Sequence, residues 1–228
     1  MSDVFVRADN IEQDMVIVRD VFYEDCYKLA VIPGIVNNAK VIIDIGAHIG
    51  MFVHKVRQSN KTAKIACVEV CPENHAALKA NVNTNATIFE GACTYEQQEL
   101  MLLNAVRPNC ESTGGSVVVP VTGVQSRQEG YVYWNDTRLI KKYTLEDIMK
   151  SLGVDHIDLL KLDCEGSEFS ILENTPSLDK IRFIVGEYHD YTRWQELLKN
   201  KFSNWDYGQM YRSSNGLGLF HLSNRNFK

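Results

Sequence analysis

The sequence predicts an α/β protein with a mostly parallel, seven-stranded sheet, helices on both faces and an antiparallel hairpin at the C-terminal end. Three observations lead there. Short apolar runs at 41–43, 65–68, 86–89, 157–162 and 181–185 alternate with amphipathic helical patterns, the order that builds parallel βαβ units. The first run breaks into a glycine turn that opens a helix. The chain closes on two extended runs, 207–211 and 218–222, joined across Asn215-Gly216, a hairpin signal.

Taken in order, residues 1–38 read as a flank or lid to one domain spanning 1–228. Apolar and polar residues alternate at 4–6 and 15–18, which predicts a small β-element leading into a helix or turn, with Tyr23 and Tyr27 placed to line a cofactor mouth. The run Val41-Ile-Ile is β-branched and bounded by polar residues and glycine, which suits a strand covered on both faces. Asp44 ends it, Gly46, Ala47 and Gly50 form the turn, and residues 51–58 continue as a helix whose N-terminus faces a ligand. The spacing is Asp-x-Gly-x-x-x-Gly. It lacks the central glycine that admits a pyrophosphate in Gly-x-Gly-x-x-Gly, so it suits a cofactor without phosphates.

The second run ends in Glu69 with Val70 beside it, and an acid at the end of the second strand is where a ribose diol is held. Pro72 in a first turn starts the next helix. The third strand, 86–89, runs into a small-residue turn at 90–93, where Ala92 would flank the base of a nucleoside. Residues 96–103 read as a further extended piece, 112–116 as a flexible loop before the apolar 117–119, and 120–133 as irregular. Residues 104–135 are therefore expected to be a substrate loop or insertion.

Thr144 with Asp147 forms a capping pattern for a helix that Gly153 closes. The strand 157–162 delivers Asp163 and Glu165 to the sheet end that carries Asp44, and a helix follows at 167–173. The strand 181–185 delivers Glu187 and His189 to the same end, and Thr192 with Gln195 reads as the cap of the next helix.

Composition narrows the function classes. At 228 residues and 45% hydrophobic content the chain can bury one substantial core. A net charge of −5, with no basic cluster larger than Lys141-Lys142, argues against nucleic acid as a partner. The early acid and the lack of a long apolar stretch predict neither signal peptide nor membrane span, and hence a cytosolic protein. The six cysteines are scattered in apolar contexts; Cys67 and Cys71 lack the further ligands a zinc site needs, so reduced core thiols are expected.

Several phrases occur together in one known order: Asp20-Val-Phe-Tyr-Glu-Asp25, Val41-Ile-Ile-Asp-Ile-Gly-Ala-His-Ile-Gly50, Thr144-Leu-Glu-Asp147, Ile157-Asp-Leu-Leu-Lys-Leu-Asp-Cys-Glu-Gly-Ser-Glu168 and Val185-Gly-Glu-Tyr-His189. Over roughly residues 20–190 the chain resembles the FkbM family of S-adenosylmethionine (SAM)-dependent methyltransferases. The resemblance implies a Rossmann-like class I methyltransferase fold and O-methylation of a hydroxyl on a sugar or polyketide-like substrate. It implies cofactor contacts from Asp44, Gly46, Ala47, Gly50, Glu69, Val70, Ala92 and Asp163. Gly91-Ala92-Cys93 stands where members often carry Asn-Ala.

Methyl transfer from a sulfonium rests on positioning and on a group that takes the hydroxyl proton. Asp163, Glu165, Glu187 and His189 are the candidates, with His189 expected as base and Glu187 as the residue that orients its ring. The same four residues suit a hard divalent cation such as Mg or Mn, although a metal-free cluster is the preferred expectation. Two alternatives compete: a nicotinamide oxidoreductase using Glu69 for its ribose, and a non-catalytic subunit that keeps the fold as a scaffold.

Overall fold

In the chain's computed structural model, residues 4–107, 110–121, 132–136 and 140–227 are described. The N-terminal segment is helical: α1 (Ile11–Ile17) runs into a π-helical turn at Val18–Tyr23, with α2 (Pro33–Asn38) after it. The expected β-element is absent there because the inward residues are Asp14, Ile17, Val18 and Val21, a helical spacing hidden inside the apparent alternation.

Strand β1 (Val41–Ile45) leads through the glycine turn to α3 (Met51–Ser59), then β2 (Lys64–Glu69), α4 (Pro72–Val82) and β3 (Thr87–Glu90). Short strand β4 (Ala92–Cys93) follows, then β5 (Leu100–Arg107), β6 (Cys110–Pro120), β7 (Val132–Asp136) and β8 (Lys142–Tyr143). The chain continues with α5 (Leu145–Leu152), β9 (Ile157–Leu162), α6 (Ser167–Asn174), β10 (Ile181–Tyr188), α7 (Tyr191–Lys201), β11 (Trp205–Arg212) and β12 (Gly218–Asn224).

Seven strands form the main sheet in the order β11-β12-β10-β9-β1-β2-β3, parallel from β10 to β3 and antiparallel at both β12 pairings. This is the expected Rossmann-like α/β sheet with its C-terminal hairpin. β1 lies between β2 and β9, so the strand order reverses there and opens a crevice at the carboxyl ends. The central strands are buried along their whole length, as a sheet covered on both faces requires. Ile43, Ile45, Leu160 and Leu162 face one apolar layer with Trp194 and Phe220; Ile42, Leu159 and Val185 face the other with Phe52 and Val56.

Two local expectations change. Residues 112–116 are strand, not loop, since β6 runs through them and pairs with β5. The small residues sit opposite an irregularity between Leu103 and Ala105 that absorbs the extra length. The expected insertion is accordingly a three-stranded antiparallel sheet, β6-β5-β7. The expected irregular stretch 120–133 lies largely outside the described residues, and β7 begins at its end. The helix cap at the end of β10 is also different: Asp190, not Thr192, is the cap of α7 and accepts from Arg193 N at 3.0 Å. An aspartate next to the strand end was nearer the helix start than the Thr-x-x-Gln pattern indicated. The Thr144–Asp147 capping box of α5 forms as read.

The cap assignment has a direct test in urea unfolding. Asp190→Ala is expected to lower stability by about 1 kcal/mol, whereas Thr192→Ala, at an exposed position inside the first turn, is expected to stay within about 0.5 kcal/mol of the parent.

Candidate active site

Adjacent parallel strands bring their carboxyl ends into register. Asp44 on β1 stands directly opposite Lys161 on β9, and Lys161 Nζ lies 3.1 Å from Asp44 Oδ1 with side chains 4% and 0% exposed. The ammonium also donates to Gly46 O at 2.6 Å and to Ile45 O at 3.3 Å. Burial works against the Lys161 charge, but Asp44 and Asp163 outweigh it and leave its pKa raised. The pair thus ties the glycine turn to the neighbouring strand.

The turn itself depends on Gly46, whose φ is +76° and where a Cβ would stand 1.8 Å from the Asp163 carbonyl oxygen. Gly46 N and Ala47 N both donate to Val68 O at 3.0 Å, which fixes the turn against β2 as well. His48 follows with φ +50°. Burial, and then the Arg7 charge, lower its pKa to about 4, so its ring is neutral near pH 7.

A cavity opens over these strand ends. Gly46, Ala47, Glu69, Val70, Ala92 and Asp163 all line it, as expected of cofactor residues. Asp44 and Gly50 do not. Asp44 lies beneath the floor, paired to Lys161, and it is Lys161 that reaches the cavity. Gly50 faces α4, where a Cβ would meet Val82 at 2.8 Å and Leu78 at 3.0 Å; its role is close packing of α3 against α4. The opposite walls come from outside the sheet: Ile17 and Val21 of the N-terminal segment, and Gly114, Ser116 and Val118, alternate residues on one face of β6.

Glu69 is 5% exposed. It accepts from His48 N and Cys71 N at 2.8 Å each and from Asn74 Nδ2 at 3.0 Å. Burial nevertheless raises its pKa. Each oxygen of a carboxylate has lone pairs to spare beyond these bonds, so Glu69 can still accept from a diol at the cavity. Tyr27 donates to Asp163 Oδ2 at 2.5 Å and lines the cavity, whereas Tyr23 is 63% exposed and does not.

The four proton-transfer candidates gather at one end. Asp163 and Glu165 line the cavity; Glu187 and His189 stand just behind them. His189 Nε2 is 3.4 Å from Glu165 and 3.9 Å from Asp163. Its Nδ1 is 3.0 Å from Glu168 Oε1, and the same oxygen accepts from His189 N at 2.9 Å. The ring is therefore oriented by Glu168, on α6, and not by Glu187 as the sequence pattern suggested. The i, i+2 spacing of Glu187 and His189 placed both at the strand end but could not show which carboxylate takes Nδ1.

Burial opposes the His189 charge, yet the Glu168 hydrogen bond and the surrounding carboxylates raise its pKa to about 10. Burial lifts Glu165 to about 8. Burial, and then the Asp163 charge, lift Glu187 to about 7. Asp163, Glu187 and His189 each offer one ligand atom, all within 4.8 Å of one another.

Two site residues escaped sequence reasoning although signals existed. Lys161 is a lone charge inside an apolar strand, which needs a partner. Glu168 sits in the same phrase, on the first turn of a helix packed against the strand end.

Residues 44–212 match the family described as the Methyltransferase FkbM domain. Methyltransferase sdnD of Sordaria araneosa is 25% identical over 185 residues, covering 69% of this chain and 67% of that one. The 31-O-demethyl-FK506 methyltransferase FkbM of Streptomyces tacrolimicus is 24% identical over 211 residues, covering 79% and 76%. Among solved structures, a putative O-methyltransferase from Klebsiella pneumoniae superposes with a TM-score of 0.49 at 12% identity, over 90% of this chain and 82% of that one. With the site geometry above, the family match defines an enzyme of the SAM-dependent methyltransferase class. The chain belongs to the FkbM methyltransferase family, which sets aside the nicotinamide alternative.

The floor of the site can be tested by unfolding. Lys161→Met strands a buried carboxylate and is expected to cost about 3–5 kcal/mol. The double variant Asp44→Asn/Lys161→Met, which removes both charges, is expected to recover most of that loss.

Proposed function

We propose that the protein transfers the methyl group of SAM to a hydroxyl of a small molecule, a sugar or polyketide-like acceptor, in the cytosol. The observation that carries this is the cluster of Asp163, Glu165, Glu187 and His189 beside a cavity whose other end holds the nucleoside-type acid Glu69. The relative named for 31-O-demethyl-FK506 supports an oxygen acceptor. The excess of carboxylates at the rim opposes a polyanion such as nucleic acid. The five described cysteine side chains are free thiols, which suits a reducing compartment. Among the described residues, no helix is long and apolar enough to cross a membrane.

The residues present fit the cofactor. Gly46 lets the turn lie against the Asp163 backbone at the cavity, Glu69 has acceptor capacity for a ribose diol, and Val70 and Ala92 supply apolar surface for an adenine. Asp163 serves the methionine part. Asp44 acts indirectly, by holding Lys161 under the turn. When bound, SAM supplies an electrophilic methyl on a sulfonium, and the chain's task is to orient the acceptor oxygen and receive its proton.

That proton goes to a carboxylate. His189 holds its own proton too firmly near pH 7 to be the acceptor, while Glu187 and Glu165 titrate close to neutrality, where a general base is most effective. Glu187 is the base in this reading. His189 is a fixed cation that orients Glu165 and Asp163, and it supplies the positive charge a metal would bring, so the cluster works without one.

Five measurements test this. Incubation with SAM and a panel of glycan and small hydroxyl acceptors should give a mass gain of one methyl group on an oxygen; gain on nitrogen or carbon alone would refute the assignment. Glu69→Ala should weaken SAM binding by about 1.5–3 kcal/mol in calorimetry. Turnover should rise as pH passes about 7, because burial and Asp163 keep Glu187 protonated below that. Glu187→Gln should lower turnover about a hundredfold or more and abolish that limb, and EDTA should leave the wild-type rate unchanged.

A further inference from the structure

One chain of buried polar contacts connects the N-terminal segment to the nucleoside end of the cavity. Arg7 N donates to Asp14 Oδ2 at 2.7 Å, and Arg7 Nε lies 3.2 and 3.1 Å from the two Asp14 oxygens. The side chains of this ion pair are 9% and 0% exposed. Arg7 Nη1 then donates to Asn74 Oδ1 at 2.5 Å, and Asn74, itself 1% exposed, donates from Nδ2 to Glu69 Oε1 at 3.0 Å. Asp14 belongs to α1, and the residues three and seven positions further on, Ile17 and Val21, are the ones that line the cavity. The wall over the cofactor site and the acid within it are thus joined by Asp14, Arg7 and Asn74.

The amide of Asn74 gives this chain a direction. Its oxygen is committed to Arg7, so its NH₂ is the end presented to Glu69. Without the guanidinium the buried amide oxygen loses its donor, and the orientation of the NH₂ toward Glu69 rests on that carboxylate alone. The forked, planar guanidinium serves Asp14 through Nε and Asn74 through Nη1 at once.

We propose that Arg7 is a positioning residue that couples occupancy of Glu69 by the cofactor to closure of residues 4–23 over it. The proposal rests on the reading of Glu69 as the ribose acid. Coupling of this kind is reciprocal: a wall that favours cofactor binding is itself steadied by the cofactor, by the same factor.

The test uses S-adenosylhomocysteine (SAH) with the whole chain. In the wild type, SAH is expected to slow amide hydrogen exchange across residues 11–23 about tenfold. Arg7→Met is expected to weaken SAH about tenfold in calorimetry and to lose that protection. Arg7→Lys, which can restore the ion pair with Asp14 but not the fork to Asn74, is expected to bind SAH as weakly as Arg7→Met. Wild-type affinity in Arg7→Lys would show that Arg7 merely pins α1 and would overturn the proposal. Unchanged exchange over residues 11–23 in SAH-bound wild type would overturn it without any variant having to fold, and would leave the methyltransferase reading standing. A wild type that fails to bind SAH would remove both.

Discussion

The buried pair of Asp44 and Lys161 is the interaction on which the rest of the site depends. It is a cross-strand pair at the centre of a sheet covered on both faces, so Asp44 is shut off from water and Lys161 is open only toward the cavity. Such a pair returns little net stability compared with apolar residues of the same volume. What it supplies is position. Lys161 Nζ also bonds the carbonyls of Ile45 and Gly46, so the ammonium holds the first residues of the turn at a fixed depth above β9. Asp163 N, two residues beyond Lys161, donates to Ile45 O at 3.2 Å. Lys161 Nζ and Asp163 N thus share the Ile45 carbonyl, which holds the turn and Asp163 together, and the Gly46 contact with the Asp163 carbonyl follows from that closeness. The Tyr27 ring, 5.7 Å from Lys161 Nζ, closes the same charge from the N-terminal side while its hydroxyl takes Asp163 Oδ2.

The charge balance around this pair explains the character of the proton-transfer cluster. Lys161 is matched by Asp44, and His189 is matched by Glu168, leaving Asp163, Glu165 and Glu187 with no cation of their own beyond a share of these two. Carboxylates so placed cannot all ionise easily at neutral pH. Tyr27 donates to Asp163 and His189 lies nearest Glu165, while burial raises both Glu165, to about 8, and Glu187, to about 7. For Glu187 the Asp163 charge adds to burial in the same direction.

Much of this architecture was legible in the sequence because it is set by local rules. The strand–turn–helix at 41–58, the acid at Glu69, the Thr144 capping box and the Asn215-Gly216 hairpin each depend on residues close in the chain, and each lies where its pattern places it. The departures share a different cause. Asp44 and Gly50 belong to the same motif as Gly46 and Ala47, but only tertiary packing decides that one faces Lys161 below the floor and the other faces Leu78 and Val82. Glu168 against Glu187 as the partner of His189 is likewise a choice between two carboxylates that α6 and β10 bring to one place, and no spacing rule distinguishes them. At the N-terminus, four apolar residues in a row at 15–18 fit both periodicities, and only burial of Asp14 and Val18 on one side resolves the helix.

The cavity has two kinds of wall, and they differ in how strongly the fold constrains them. The end that suits a nucleoside is built from strand ends whose register is fixed by a seven-stranded sheet, so Gly46, Glu69 and Asp163 cannot shift independently. The outer walls come from α1 with its π-helical turn and from β6, neither of which belongs to that sheet. On β6 the inward positions are Gly114, Ser116 and Val118, small enough to leave room above the carboxylates. These β6 positions belong to neither packed layer of the main sheet, whereas Ile17 and Val21 pack against Ile49 and Met51. The cavity therefore joins one wall fixed by the register of the main sheet to another, on β6, that lies outside it.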